Sequence, residues 1–152
     1  MEIAVNMTFQ EKSAWGSLLA LGLVSYWYFP AAFAAAGNNG AAADLIAISI
    51  GCVVALVIIE IVYHVIIASR GGGAKDERDV FINIKAERVA GFVLGIGLFT
   101  LVGRIIAIEA IEAITPVETM GALTIAVWIL FVLTVAEISK LASQVWYYRA
   151  GA

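Results

Sequence analysis

The chain has 152 residues and a formal net charge of −3; 62% of its residues are hydrophobic and only 14% are charged. An ordinary soluble domain has roughly 25% charged residues, so this composition excludes one. The apolar residues lie in four blocks, each long enough to cross a bilayer, which takes about 20 of them. The single cysteine, Cys52, excludes an internal disulfide and a Cys-based metal site.

The four apolar blocks predict four transmembrane helices. Strands of a membrane barrel would alternate apolar and polar residues, whereas these segments are apolar on nearly every face. A helix also satisfies its own backbone hydrogen bonds in lipid. The predicted helices span approximately residues 15–35, 45–69, 78–108 and 118–148. The predicted fold is therefore an all-α, integral membrane four-helix bundle that forms one domain over residues 1–152.

The connections between the blocks contain signals for helix starts. Asp44 is a predicted N-cap of helix two. Asp76 and Glu77 suit the positive N-terminus of a helix that begins there. Helix three would then be longer than the bilayer and would project into the cytoplasm. The last connection holds a capping box and a helix-starting proline, which predict the start of helix four at Thr115, Pro116 and Glu118.

The basic residues predict how the chain is threaded. Eight of the nine Lys and Arg residues fall on one predicted side: Lys12, Arg70, Lys75, Arg78, Lys85, Arg88, Lys140 and Arg149. The positive-inside rule then places both termini and the central loop in the cytoplasm. Arg104 is the exception, and it can snorkel to the outer interface, where Glu109 and Glu112 offer opposite charge.

The two halves of the chain resemble each other weakly. Glu87-Arg88 follows Glu11-Lys12 at an offset of 76 residues, and Glu137 follows Glu60 at an offset of 77. This pattern predicts two repeated helical hairpins. A two-helix unit crosses the membrane an even number of times, so the repeat axis would lie along the membrane normal.

Two carboxylates are predicted to lie inside the membrane. Glu60 is nine residues before Ser69, roughly 14 Å from that end of helix two, and Glu137 is predicted at a similar depth. His64 is one turn after Glu60, and Lys140 is three residues after Glu137. A charged side chain in the bilayer costs several kcal/mol and usually faces the protein interior.

Three interpretations of these residues stay open. Glu60 or Glu137 could pair with Arg88 or Lys140 in a polar contact that fixes helix packing. The carboxylates could instead belong to an ion or proton pathway, since a carboxylate beside a His can change protonation near neutral pH. A metal or haem site on His64 is the third, although one His with carboxylates is a weak ligand set.

The charged loop and helix starts at the cytoplasmic side form a second group of candidates. The run Asp76-Glu77-Arg78-Asp79 is a solvated helix start, a docking surface or a metal-attracting acidic cluster. The pairs Glu11-Lys12 and Glu87-Arg88 begin helices one and three from the same side and could meet the embedded residues. No nucleophile with its base, phosphate loop or HExxH motif is present, so we expect neither an enzyme nor a bound cofactor.

Three segments resemble a known group of proteins. These are TFQEKSAW before helix one, DERDVFINIKAERVAGFVLGIG in the centre and AEISKLASQVWYYRAG at the end. Together they resemble small uncharacterised bacterial four-helix inner-membrane proteins that share a DERD-type loop and a Tyr-Tyr-Arg ending. The resemblance implies a bacterial inner-membrane location, and it singles out Tyr148 and Arg149 beside the charged residues above. It implies no activity.

The leading functional hypothesis is a homo-oligomeric multi-pass protein whose embedded carboxylates serve an ion, proton or small-solute pathway. The alternative is a non-transporting accessory, scaffold or sensor subunit, in which the same residues fix the helices and the DERD loop docks a membrane-protein partner. Both expect the lipid bilayer as surroundings and neither involves nucleic acid.

Overall fold

A computed structural model describes residues 8–37, 42–69, 76–112 and 120–151. These residues form four α-helices, and each is long and apolar enough to cross a membrane. The helices are α1 (Phe9–Gly37), α2 (Ala42–Ser69), α3 (Glu77–Glu112) and α4 (Ala122–Ala150). The predicted all-α four-helix membrane fold is confirmed.

The start of α3 is the one that the sequence predicts. Asp76 Oδ1 accepts a hydrogen bond of 2.8 Å from the Asp79 N–H, and Asp79 Oδ2 accepts one of 3.1 Å from the Asp76 N–H. This reciprocal arrangement satisfies two backbone donors that a helix start leaves without partners. With 36 residues, α3 is roughly 54 Å long, well beyond a hydrocarbon core of about 30 Å.

One other predicted helix start is wrong, and another falls outside the described residues. Asp44 lies within the first turn of α2, which begins at Ala42, so it is not the N-cap; its charge still favours the helix N-terminus. Helix α4 begins after Gly121, whose φ of −59° and ψ of 151° are extended and cannot continue a helix backwards. The Gly121 carbonyl accepts the first helical bond, from the Ile125 N–H at 3.1 Å. The expected capping box at residues 115–118 lies outside the described residues.

The helices pack in the order α2–α1–α4–α3. Helix α1 contacts α2 on one side and α4 on the other, and α4 also contacts α3. Between α1 and α4, Glu11 meets Arg149 at one end while Thr124 Oγ1 donates to the Ala36 carbonyl at the other. Neighbours are therefore antiparallel. We call the end where α1 and α3 begin, and α2 and α4 end, the DERD end.

The two predicted hairpins are present as α1–α2 and α3–α4. An axis along the membrane normal that exchanges them would pair α2 with α3 as it pairs α1 with α4. Among the described residues, α2 and α3 share at most a marginal contact. The structure therefore shows the hairpins without the predicted rotational symmetry between them.

The apolar core lies toward the end opposite the DERD end. Tyr28, Phe29, Ala32 and Val127 are buried there, and the Phe29 and Phe131 rings meet edge to face with their centroids 4.9 Å apart. Most large apolar side chains of α2 and α3 face outward, as a helix surrounded by lipid requires. The DERD end also buries apolar side chains, such as Ile82 and Val145, beside the polar side chains that join its helices.

Candidate functional site

A polar cavity of about 100 Å³ lies between α1, α3 and α4 at the DERD end. Each helix supplies side chains at spacings of three, four or seven residues, which place them on one helical face. The polar side chains that line the cavity are Gln10, Ser13 and Ser17 from α1, Asp79 and Asn83 from α3, and Gln144 and Tyr148 from α4. Ala14 and Leu141 complete the wall.

The wall between α3 and α4 is held by two hydrogen bonds. The Tyr148 hydroxyl donates to Asp79 Oδ1 at 2.8 Å, and Gln144 Nε2 donates to Asn83 Oδ1 at 2.8 Å. Asn83 Nδ2 in turn donates to Glu87 Oε1 at 2.9 Å. These bonds fix which way each amide points, because the nitrogen of one faces the oxygen of the next. The cavity therefore has defined donors and acceptors on this side.

The wall on the α1 side is tied to α4 by an ion pair. Glu11 is only 6% exposed, and its Oε1 lies 3.4 Å from Nε of Arg149. The Arg149 guanidinium also lies over the Trp15 ring, 5.3 Å from the ring centroid. A buried carboxylate is costly unless it is paired, so Arg149 accounts for the position of Glu11 inside the bundle.

Ser17 connects the cavity to Glu60. Its hydroxyl donates a hydrogen bond of 3.0 Å to Glu60 Oε2, and Ser17 also lines the cavity. Ser17 is six residues beyond Glu11, roughly 9 Å deeper along α1. One turn after Glu60, the Tyr63 hydroxyl donates to the Lys12 carbonyl. Glu60 is thus the embedded carboxylate that the fold brings to the cavity.

Glu137 and Lys140 lie apart from the cavity. Lys140 Nζ is 3.2 Å from Glu137 Oε1, and the two side chains are 25% and 50% exposed respectively. Their contact stays within α4, so it cannot fix one helix against another. The sequence predicted that an embedded carboxylate would pair with Arg88 or Lys140. Among the described residues the structure shows the Glu137–Lys140 pair, whereas the Arg88 side chain is exposed.

The charged residues at the DERD end have several roles. Asp76 and Asp79 cap α3, while Glu77 is exposed in its first turn. Arg78 donates to the Tyr148 carbonyl at 3.3 Å, which joins the start of α3 to the end of α4. Asp79 is the member of the DERD run that faces the cavity.

The metal hypothesis rests on His64. His64 belongs to α2, but its side chain lies outside the described residues. Among the side chains that the structure describes, no group of three His, Cys, Asp or Glu residues could hold a metal ion.

Sequence reasoning missed the neutral members of the cavity. Gln10, Ser13, Ser17, Asn83 and Gln144 were not singled out, because each is unremarkable by itself in a polar helix end. The usable signal was their spacing: Gln10, Ser13 and Ser17 share one face of α1, and Gln144 shares a face with Tyr148 on α4. What spacing does not show is that these faces meet.

The chemistry of the cavity suits water and small polar species. Hydroxyl groups both donate and accept hydrogen bonds, amides do each with different atoms, and the carboxylate of Asp79 accepts. A site that offers a water two to four polar partners holds it well. The cavity can therefore hold water beside Ser17, one hydrogen bond away from Glu60.

These helices define the class to which the chain belongs: it is a multi-pass membrane protein with four helices able to span a bilayer. Comparison with protein-family models, curated proteins and solved structures found no match.

Proposed function

We propose that the protein provides a pathway for protons, small ions or small solutes, which starts in the polar cavity and continues to Glu60. The observation that carries this proposal is that Ser17 both lines the cavity and donates to Glu60. In this proposal the DERD end faces the cytoplasm, as the distribution of basic residues predicts, and the membrane is the bacterial inner membrane that the resemblance implies. The protein then works as a homo-oligomer, with lipid or a second copy against α2 and α3.

The free-energy cost of placing Glu60 in the membrane supports a functional role for this residue. On insertion scales, an ionised side chain at the bilayer centre costs about 3 kcal/mol, and such residues commonly mark ion and proton paths. Ser17 is a neutral partner, and its hydroxyl can donate to the carboxylate or accept from the protonated acid.

A second cavity supports a continuation of the path. It has a volume of about 120 Å³ and lies deeper between α1, α2 and α4, where Tyr28 and Ser49 share a hydrogen bond of 2.9 Å. Leu21, Val24 and Leu56 line it on the side toward Ser17 and Glu60. In this proposal these apolar side chains separate the two cavities and exclude water between them in the described conformation.

The rival function is an accessory, scaffold or sensor subunit. It is favoured by the contacts that join helix ends, namely Tyr148 with Asp79, Gln144 with Asn83, and Arg149 with Glu11. In that case the only role of Glu60 is to hold α1 and α2 together through Ser17. A Gln in its place would lower thermal stability in detergent without any flux to lose, and a stoichiometric partner would be recovered by pull-down.

Reconstitution into liposomes separates the two functions. The wild type would be inserted into vesicles that contain a pH-sensitive dye, and proton uptake driven by a potassium diffusion potential would be recorded. Glu60→Gln keeps an oxygen that can accept from Ser17 but cannot exchange a proton. Glu137→Gln is the matched control, because it removes a carboxylate on α4 that is half exposed and paired within its own helix.

The proposal expects flux in the wild type, strong reduction in Glu60→Gln and little change in Glu137→Gln. Ser17→Ala should also reduce flux, because it removes the hydrogen bond between the cavity and Glu60. Wild-type vesicles that behave like empty ones for protons, sodium and potassium alike would contradict the pathway. So would equal flux in the wild type and Glu60→Gln.

A further inference from the structure

The polar cavity presents oxygen atoms of a kind that binds hard metal cations. Hydroxyl, amide and carboxylate oxygens come from three helices, at Ser13, Ser17, Gln10, Asp79 and Gln144. Sodium, potassium and other hard cations take oxygen ligands, whereas imidazole and thiolate select transition metals. Among the described residues that line the cavity, none is a Lys or Arg, so no built-in cation fills it.

The hydrogen bonds of the wall leave acceptors toward an ion. Gln144 Nε2 is committed to Asn83 Oδ1, so Oε1 of Gln144 is left as an acceptor. The Tyr148 hydroxyl donates its hydrogen bond to Asp79, which leaves the lone pairs of the Tyr148 oxygen as acceptors. Each carboxylate oxygen can accept more than one bond, so Asp79 retains capacity beside its contacts with Tyr148 and the backbone of Asp76.

The charge of the cavity determines the charge of the ion that it can bind. Asp79 is its single carboxylate among the residues described, while sites for divalent ions usually combine several carboxylates. The two nearest arginines have other partners, since Arg149 meets Glu11 and Arg78 donates to the Tyr148 carbonyl. One negative charge matches one monovalent ion.

The volume sets how much water the ion keeps. A water molecule takes about 30 Å³ in the liquid, so a cavity of about 100 Å³ holds an ion with only a few waters. Side-chain oxygens must then replace part of the hydration shell, which gives the site its selectivity for small cations.

We propose that the polar cavity binds one partly hydrated monovalent metal cation, sodium or potassium, with Asp79 as its anionic ligand. The oxygens of Gln10, Ser13, Ser17 and Gln144 complete the coordination. This assignment rests on the proposed function, for which the cavity is the entrance, and it names the substrate of that entrance. An ion held there lies next to Ser17, from which it passes toward Glu60.

Equilibrium binding to the purified full chain in detergent tests the assignment. Radioactive sodium, and rubidium as the probe for potassium, would be titrated at constant ionic strength with choline as the inert cation. We expect saturable binding of one ion per chain. Asp79→Asn should weaken it about tenfold or more, since a charge-assisted contact is lost. Glu137→Gln, outside the cavity, should bind like the wild type.

Asp79 also caps α3 and accepts from Tyr148, so a second variant guards against a failure to fold. Gln10→Leu removes one cavity oxygen and leaves those contacts in place; we expect severalfold weaker binding with unchanged helix content. The assignment is overturned if the wild type shows no saturable binding of either ion, or if both variants bind like the wild type. If proton flux depends on Glu60 but no cation binds, the cation assignment is overturned and the proposed pathway stands. If a cation binds but no flux is seen, the proposed pathway is overturned and the binding site stands.

Discussion

Ser17 and Glu60 are joined by a hydrogen bond of 3.0 Å between α1 and α2, at the inner end of the polar cavity. The bond links the polar cavity at the DERD end to a carboxylate within the membrane-spanning part of α2. It also distinguishes Glu60 from Glu137, which pairs with Lys140 on its own helix. The two carboxylates are similar in the sequence but have different surroundings in the fold.

The Glu11–Arg149 pair should contribute to stability. Glu11→Ala leaves the Arg149 guanidinium without its carboxylate and removes a buried side chain from the α1–α4 contact. Loss of a fully buried pair costs about 3–5 kcal/mol, but Arg149 is 58% exposed, so we expect about 1–2 kcal/mol after solvent screening. Thermal unfolding in detergent, followed by circular dichroism, measures the change.

Glu137→Ala is the control for that substitution. It removes an exposed pair within one helix, which is worth about 0.5 kcal/mol or less. If Glu137→Ala and Glu11→Ala lowered the midpoint of unfolding equally, the Glu11–Arg149 contact would not be holding α1 to α4.

The Tyr148 hydroxyl should stabilise the wall of the cavity. Tyr148→Phe removes the hydrogen bond to Asp79 and keeps the ring, and we expect a loss of about 1 kcal/mol in stability. Tyr147→Phe is the neighbouring control, because the contact of Lys85 with its ring is retained. An unfolding midpoint in Tyr148→Phe that matches the one in Tyr147→Phe would count against this role.

Gly16 permits the close approach of α1 and α2. A Cβ built on Gly16 would overlap the Tyr63 ring, so Gly16→Ala must displace that ring. Overpacking of this kind typically costs about 1–3 kcal/mol. We expect a lower unfolding midpoint in detergent, because the displaced ring also loses the hydrogen bond of the Tyr63 hydroxyl to the Lys12 carbonyl.

Gly22→Ala tests whether the effect is local. No atom lies within 4 Å of a Cβ at Gly22, and Ala favours a helix over Gly by about 1 kcal/mol. Its unfolding midpoint should therefore be unchanged or slightly higher. Partial recovery in the double variant Gly16→Ala with Tyr63→Ala would assign the clash to the Tyr63 ring; a Gly16→Ala protein as stable as Gly22→Ala would refute it.

The architecture was predictable because it depends on properties that are local in the sequence. Long apolar blocks specify helices in lipid, and Asp76 with Asp79 specifies where α3 begins. Asp44 failed as an N-cap because the alanines before it are themselves good helix formers, so α2 starts at Ala42. Helix α1 likewise begins at Phe9, ahead of its apolar block.

The site was only half predictable. Glu60 is visible in the sequence because a carboxylate in an apolar block is costly. Its partner is not, because α2 is apolar on nearly every face and so does not reveal which face meets α1. For the same reason the sequence could not separate Glu137 from Glu60 as a pathway candidate, although Glu137 lies on an exposed face of α4. Predicting the cavity requires knowing that α4 packs between α1 and α3, and no local sequence pattern gives this order.

The central claim, that the polar cavity carries water down to Ser17, is tested most directly by thiol accessibility. In a background with Cys52→Ser, Ser17→Cys would be treated with a small, charged, membrane-impermeant thiol reagent in liposomes. Leu19→Cys is the control, since Leu19 is at nearly the same depth on α1 but is an outward-facing apolar residue, 58% exposed.

The account predicts modification at position 17 when the reagent is on the side of the DERD end, and little at position 19, where lipid excludes a charged reagent. Protection at both positions, or equal modification at both, would contradict a hydrated path to Glu60.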